Sequence, residues 1–172
     1  MKKFFYLISV AVIFISCSST YKYDYDNPIE DVLEQNTDIA ITVSEDGFYG
    51  DDIYTGSGKI LSNIVKQELK AYTAKATVLK NKENLEEINN EELEKYDYIV
   101  IPEILHWEDR ATAWSGRPDK VKVSIEIYNS KKELLKSAVL EGKSASMTLA
   151  SNDPSELLEK PLSIFFKSVF VK

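Results

Sequence analysis

Apolar positions along this chain follow two periods. From Asp38, DIAITVS puts Ile39, Ile41 and Val43 on one face, the two-residue period of a half-buried strand. KILSNIVKQELKAY repeats Ile60, Leu61, Ile64, Val65 and Leu69 at three- and four-residue spacing. That spacing predicts an amphipathic helix over 59–72, with Ser57 as its N-cap. The glycine- and aspartate-rich EDGFYGDDIYTGSG between these two segments reads as a loop. KATVLK reads as a second strand. NLEEINNEELEKY reads as a second helix, broken near Asn89-Asn90.

DYIVIPEIL predicts a third strand. Tyr98-Ile99-Val100-Ile101 has no polar alternation, as expected of a strand covered on both faces, and Pro102 demands a bulge or an edge position. This strand continues into HWEDRAT. DKVKVSIEIYN then alternates cleanly, with Val121, Val123, Ile125 and Ile127 opposite Lys122, Ser124, Glu126 and Tyr128. After the turn NSKKE, LLKSAVLEGKSAS is a fifth strand. Asp153-Pro154-Ser155-Glu156 is a helix start. The helix it opens carries Leu157, Leu158, Leu162, Phe165, Phe166 and Val169 as a core stripe to about Val169, kinked or restarted at Pro161. The expected order is β-α-β-α-β-β-β-α. This is an α/β (α+β) domain over residues 38–172, with a single mixed sheet of about five strands and helices packed mainly on one face.

The N-terminus follows a different logic. MKKFFYLISVAVIFISC has Lys2 and Lys3, then an apolar run from Phe4 to Ile15. That run is shorter than the about 20 residues a membrane span needs and fits a signal peptide over 1–16. Its end, Phe14-Ile15-Ser16-Cys17, resembles the bacterial lipobox. The resemblance implies a diacylglycerol on the Cys17 thiol, cleavage before that residue and a membrane anchor. Cys17 is the single cysteine, so it has no disulfide partner within the chain. Several acyl chains anchor stably where one does not. Ser18, rather than aspartate, implies sorting to the outer membrane, with the domain facing the periplasm. Residues 17–37 read as a lipidated tether. Its tyrosines, Tyr21, Tyr23 and Tyr25, suit either an edge strand or a position near lipid headgroups, and Pro28 suits the start of a short helix.

Composition narrows the function classes. Of 172 residues, 44% are hydrophobic and 11% aromatic, enough to bury a core. Loss of the leader removes two lysines and takes the formal charge from −7 to −9. Such an acidic chain without a basic stripe excludes nucleic acid as the expected partner. One histidine and one acylated cysteine make no common zinc site, and neither Asp51-Asp52 nor Glu86-Glu87 has the spacing of a calcium loop, so no metal or cofactor is expected. GSGK at 56–59 fails as a phosphate loop, because Ile53 stands where its first glycine belongs and Ile60 where its magnesium ligand belongs.

HWEDRATAWSGR, from His106 to Arg117, holds the only histidine, both tryptophans and both arginines. Strand alternation would put His106, Glu108 and Arg110 on a polar face beside Lys122 and Glu126, and Leu105, Trp107 and Asp109 on the core face. A sheet face, a binding surface and a hydrolytic site with His106 as base are all compatible with these residue types. Trp114 and Arg117, in the connection to the next strand, suit either interface anchors or a lid on the core. No catalytic set is assigned.

The stretch from Glu103 to Ser144, with DPSELLEKPLSIFF, resembles a family of uncharacterised bacterial lipoproteins. In that family a strand ending HWEDRATxWSGxPD precedes a meander and a DPxxLL helix. The element order also looks like the TolB N-terminal domain and the lipoproteins that activate peptidoglycan synthases. These resemblances imply an envelope location and no particular activity. The expectation is a non-enzymatic interaction module held to the membrane by its N-terminal lipid, with an envelope protein as partner. The alternative is an envelope glycan-binding or polysaccharide-processing protein.

Overall fold

The computed structural model describes residues 19–26, 31–110, 117–145 and 153–171. The elements are β1 (Thr20–Asp26), β2 (Thr37–Ile41), β3 (Phe48–Tyr49), β4 (Asp52–Ile53), α1 (Ser57–Leu69) and β5 (Thr73–Val78). They continue with α2 (Asn90–Leu93), β6 (Tyr98–Glu108), β7 (Lys120–Asn129), β8 (Leu134–Lys143) and α3 (Glu156–Phe170). A six-stranded mixed sheet runs β1-β8-β7-β6-β2-β5, and β3-β4 is a separate small hairpin. β2 is parallel to β5 and β6; the other ladders are antiparallel. The parallel half and the meander half thus join at β6.

Two apolar clusters lie on opposite faces of the sheet. The larger packs α1 and α3 on Val100, Trp107, Val121, Val123, Ile125, Ile127 and Leu140. The smaller gathers Leu79, Leu85, Ile88 and Leu93 against Ala40 and Ile99. Ile99 and Val100 point into different clusters, so the β6 run is apolar throughout because both its faces are covered. Phe165, Phe166 and Phe170 of α3 are wholly buried. Each is a residue whose truncation to alanine costs about 3–5 kcal/mol, which makes α3 indispensable to the core.

The tyrosine-rich segment forms the sixth strand. β1 pairs with β8 along its full length, Thr20 opposite Lys143 and Asp26 opposite Ser137. Tyr23 packs on the large cluster and Tyr25 stacks on Phe165 at 5.8 Å. Of the short helix expected after it, Pro28 lies outside the described residues, and 31–36 is irregular chain that buries Leu33.

Several local expectations give way to non-local contacts. Helix 84–96 contracts to the single turn α2. Asn89 Oδ1 accepts from Glu92 N–H at 2.9 Å and starts a helix in mid-segment, while 84–88 forms turns that still bury Leu85 and Ile88. Ser57 is not the cap of α1. Its Oγ accepts from Gly47 N–H, while Asp46 reaches across the loop to accept from Gly56 N–H at 2.9 Å and Gly58 N–H at 3.0 Å. The anion site at this helix start is thereby filled by the chain's own carboxylate. α3 begins at Glu156 after a turn in which Asp153 Oδ1 accepts from Ser155 N–H, and it runs through Pro161 unbroken. Proline at 161 leaves the Leu157 carbonyl without its helical donor.

β6 carries the largest departure from simple alternation. Ile104 pairs with Val123 and His106 with Lys122, leaving Leu105 as a bulge. The bulge exchanges the faces of every residue after it. Trp107 reaches the helix-covered core as expected, whereas Leu105 is 45% exposed instead of sharing that face. Pro102 lies beyond the parallel ladder, which ends at Ile41 opposite Val100. Ser44 Oγ takes the Ile104 N–H there at 3.0 Å.

Gly58 and Gly142 permit close approach of backbone to backbone and side chain. A Cβ at Gly58 would overlap the Ser44 carbonyl oxygen, and one at Gly142 would lie 2.8 Å from Leu157 Cβ and 2.9 Å from its oxygen. Gly58→Ala and Gly142→Ala should each lower the unfolding free energy in urea by about 1–3 kcal/mol. An unshifted midpoint in either variant would contradict these contacts.

Candidate functional site

The bulge at Leu105 turns Glu108 onto the sheet face opposite the two long helices, at the last residue of β6. There the carboxylate is only 1% exposed. Burying an unpaired charge is prohibitive, so its partners define the site. Glu108 Oε1 is bound by Arg110 through Nε and Nη2. Oε2 lies 3.4 Å from His106 Nε2 and 3.7 Å from Lys120 Nζ, the residue directly opposite on β7. Burial pushes the Glu108 carboxyl up. The hydrogen bonds from Arg110 and His106, with the charges of Arg110 and Lys120, outweigh burial and hold it below its ordinary value. It is a fixed anion rather than a proton donor.

A second layer locks the cations. The Tyr49 ring meets His106 edge-on at 5.4 Å and sits 5.8 Å from the Arg110 guanidinium carbon, with Tyr49 Oη 3.4 Å from Nη2. Arg110 N–H donates to Asp119 Oδ1 at 2.7 Å, joining the two ends of the connection between β6 and β7. Asp119 in turn exchanges bonds with Ser144: Asp119 N–H donates to Ser144 Oγ at 2.8 Å, and Ser144 N–H donates to the Asp119 carbonyl at 3.0 Å. Tyr54 Oη takes Asp109 N–H at 3.3 Å. Asp109 Oδ1 is buried without a hydrogen-bond partner. Burial, then the nearby charges of Asp119 and Asp153, push that carboxyl up. Among the described residues, no group of three or more His, Cys, Asp or Glu side chains is arranged to hold a metal ion.

The structure brings together His106, Glu108 and Arg110. It replaces the expected neighbours Lys122 and Glu126 with Lys120 as the ion-pair partner; Lys122 is paired with His106 along the ladder, and Glu126 accepts from Tyr128 Oη. Asp109 does not join Trp107 in the apolar cluster but lies at the strand's end beside Tyr54 and Asp119. Arg117 is exposed where the chain re-enters the described residues; Trp114 and Cys17 lie outside them. Tyr49, Tyr54, Asp119, Lys120 and Ser144 were not anticipated. The available signal was the apolar pairs Phe48-Tyr49 and Ile53-Tyr54 flanking Gly50-Asp51-Asp52 in an otherwise polar loop, a composition that turns a loop into a hairpin.

Residues 31–169 match the family described as "Domain of unknown function (DUF4823)". The chain belongs to the DUF4823 family. The matched span takes in the whole Glu108 cluster and leaves out β1. Among solved structures, the DUF4823 chain is similar to the PelC dodecamer from Paraburkholderia phytofirmans, with a TM-score of 0.62 and 15% identity. That likeness covers 90% of this chain and 100% of the other. A single-substitution form of the same protein gives a TM-score of 0.59 at 15% identity over the same shares. Protein XCC0632 from Xanthomonas campestris, of family DUF330, gives 0.46 and 12% over 81% of this chain and 84% of that one. At these identities the PelC likeness is one of fold. No curated protein matches the chain.

Two stability predictions follow from opposite pKa directions. Glu108→Ala should cost about 3 kcal/mol, the low end for breaking a buried ion pair, because Lys120 and His106 keep contact with water. The stabilisation from Glu108 is complete above its ordinary value of 4.5 and is lost as pH falls from there through the lowered folded value. Asp109 runs the other way: stability falls as pH rises from its ordinary 3.8 through the raised folded value. Asp109→Asn should therefore unfold at higher urea than wild type at pH 7, with the advantage shrinking toward pH 3. Equal midpoints at pH 7 would contradict the raised carboxyl of Asp109.

Proposed function

We propose that this chain is a lipid-anchored module of the bacterial cell envelope that binds a partner rather than transforming a substrate. Cys17 carries the acyl groups, the outer membrane holds them, and the folded part faces the periplasm. Trp114 and Arg117, in the connection between β6 and β7, are the contact side chains. One observation supports this most. The polar residues that most resembled a catalytic set, His106, Glu108 and Arg110, are directed at one another around a single buried carboxylate. That arrangement joins Arg110 to Asp119, the residues on either side of the connection between β6 and β7, and so fixes the base from which Trp114 and Arg117 would act. The resemblance in element order to the TolB N-terminal domain and to activators of peptidoglycan synthases, as read from the sequence, supports an interaction role in the envelope.

A glycan as partner is the second reading, favoured by the aromatic ring of Tyr49 beside charged groups at the same end of the molecule. Cross-linking in intact cells, followed by purification, distinguishes the two. A protein adduct should be lost in a Trp114→Ala, Arg117→Ala double variant that still folds. Adducts unchanged in that variant would remove Trp114 and Arg117 from the interface. Co-sedimentation of the wild-type protein with purified peptidoglycan or lipopolysaccharide, without a protein adduct, would replace the protein partner by the glycan.

A further inference from the structure

The position of β1 in the sheet determines which end of the domain meets the membrane. β1 starts at Thr20, which lies opposite Lys143; Lys143 lies opposite Lys120, and Lys120 opposite Glu108. These four residues form one row across one end of the sheet. Only three residue steps separate Thr20 from Cys17, a contour of at most about 10 Å. A leaflet's headgroup layer is itself about 5–7 Å thick. A lipid on Cys17 therefore leaves the domain no room to stand clear of the surface, and the Glu108 end of the sheet lies against it.

Among the described residues, the same end carries most of the exposed large apolar side chains. In the β3–β4 hairpin, Phe48 pairs with Ile53, and the two are 68% and 71% exposed. Cross-strand partners share a face, so this pair points away from Tyr49, whose ring is held by His106 and Arg110. Leu105 in the bulge and Ile60 in the first turn of α1 are exposed as well, and both belong to segments at this end. Of the other exposed large apolar residues, Tyr25 and Val171 lie toward the far end, and Ile164 lies midway along α3. An apolar pair of this exposure normally meets something.

We infer that the outer face of the β3–β4 hairpin, Phe48 with Ile53, is a lipid contact: it rests on the headgroup layer of the membrane to which Cys17 is anchored. This rests on the lipid anchor proposed above. The hairpin lies beside β6, three interstrand spacings or about 14 Å from β1, so two separated points, the lipid and the hairpin, set the tilt of the domain. Asp51 in the hairpin turn and Asp52 beside it stay in water, which keeps the contact at headgroup level and favours zwitterionic over anionic lipid. The 111–116 connection springs from the same end, so a partner that meets it lies at the membrane surface.

The test uses the full acylated protein. Acylation occupies the one native thiol, so Phe48→Cys, Ile53→Cys and Lys131→Cys each supply a single reactive site. Lys131 is exposed in the turn between β7 and β8, at the opposite end. Each is labelled with an environment-sensitive fluorophore and reconstituted into phosphatidylcholine–phosphatidylethanolamine vesicles carrying a shallow lipid-borne quencher. Residues 48 and 53 should show blue-shifted emission and several-fold quenching, and residue 131 neither. If 48 and 53 are quenched no more than 131 while mass spectrometry finds Cys17 acylated, the hairpin contact is wrong and the anchor stands. An unacylated Cys17 in the exported protein overturns the anchor and the contact together.

Discussion

Glu108 has almost no surface in contact with water, and a carboxylate in that position must be matched by cations or remain protonated. This chain matches it with Arg110, His106 and Lys120. The requirement reaches well beyond one side chain. It explains why the single histidine and one of only two arginines fall within a few residues of each other. It recruits Tyr49 to hold the cations and so binds the β3–β4 hairpin to the end of β6. Through the backbone of Arg110 it also reaches Asp119 and Ser144, and with them the exits of two further connections. Four segments distant in sequence meet around one charge.

The Leu105 bulge is what makes that burial possible. Without the extra residue, β6 would continue its earlier alternation. Glu108 would then share the face of Pro102 and Ile104, under the helices, and Trp107 would face outward. With the bulge, the indole goes to the core and the carboxylate to its cations. An apolar helix-covered layer and a charged cluster on the other side therefore coexist within one strand. Pro102 and the early end of β2 leave that stretch of β6 short of a neighbour, and Ser44 with the following loop takes the place of the missing strand.

Where burial is periodic, the architecture could be read from residues alone. β7 alternates because one face of it is core and the other is not; α1 and α3 show their stripes for the same reason. The two-sided cover of β6 was visible in Ile99-Val100-Ile101. Features set by distant partners were not. Asp46 caps α1 from ten residues before Gly56, so nothing near Ser57 announces it. Leu85 and Ile88 fill the second cluster from turns, so their helical spacing misleads. The hairpin has only two residues in each strand, too few for any period. At the candidate site the alternation rule grouped His106, Glu108 and Arg110 correctly. The anion's cross-strand partner depended on the bulge, which shifts the register by one and sets Glu108 opposite Lys120 instead of Asp119.

The central claim is that Glu108 and Arg110 form one buried structural unit at the base of the β6–β7 connection. A double-mutant cycle tests it most directly, with urea unfolding of wild type, Glu108→Gln, Arg110→Gln and the pair at neutral pH. The losses should be strongly non-additive, the double variant being little worse than Glu108→Gln alone, because each substitution already dismantles the other's environment. Strictly additive losses would mean that the two side chains act independently and that the end of the sheet is held by something else.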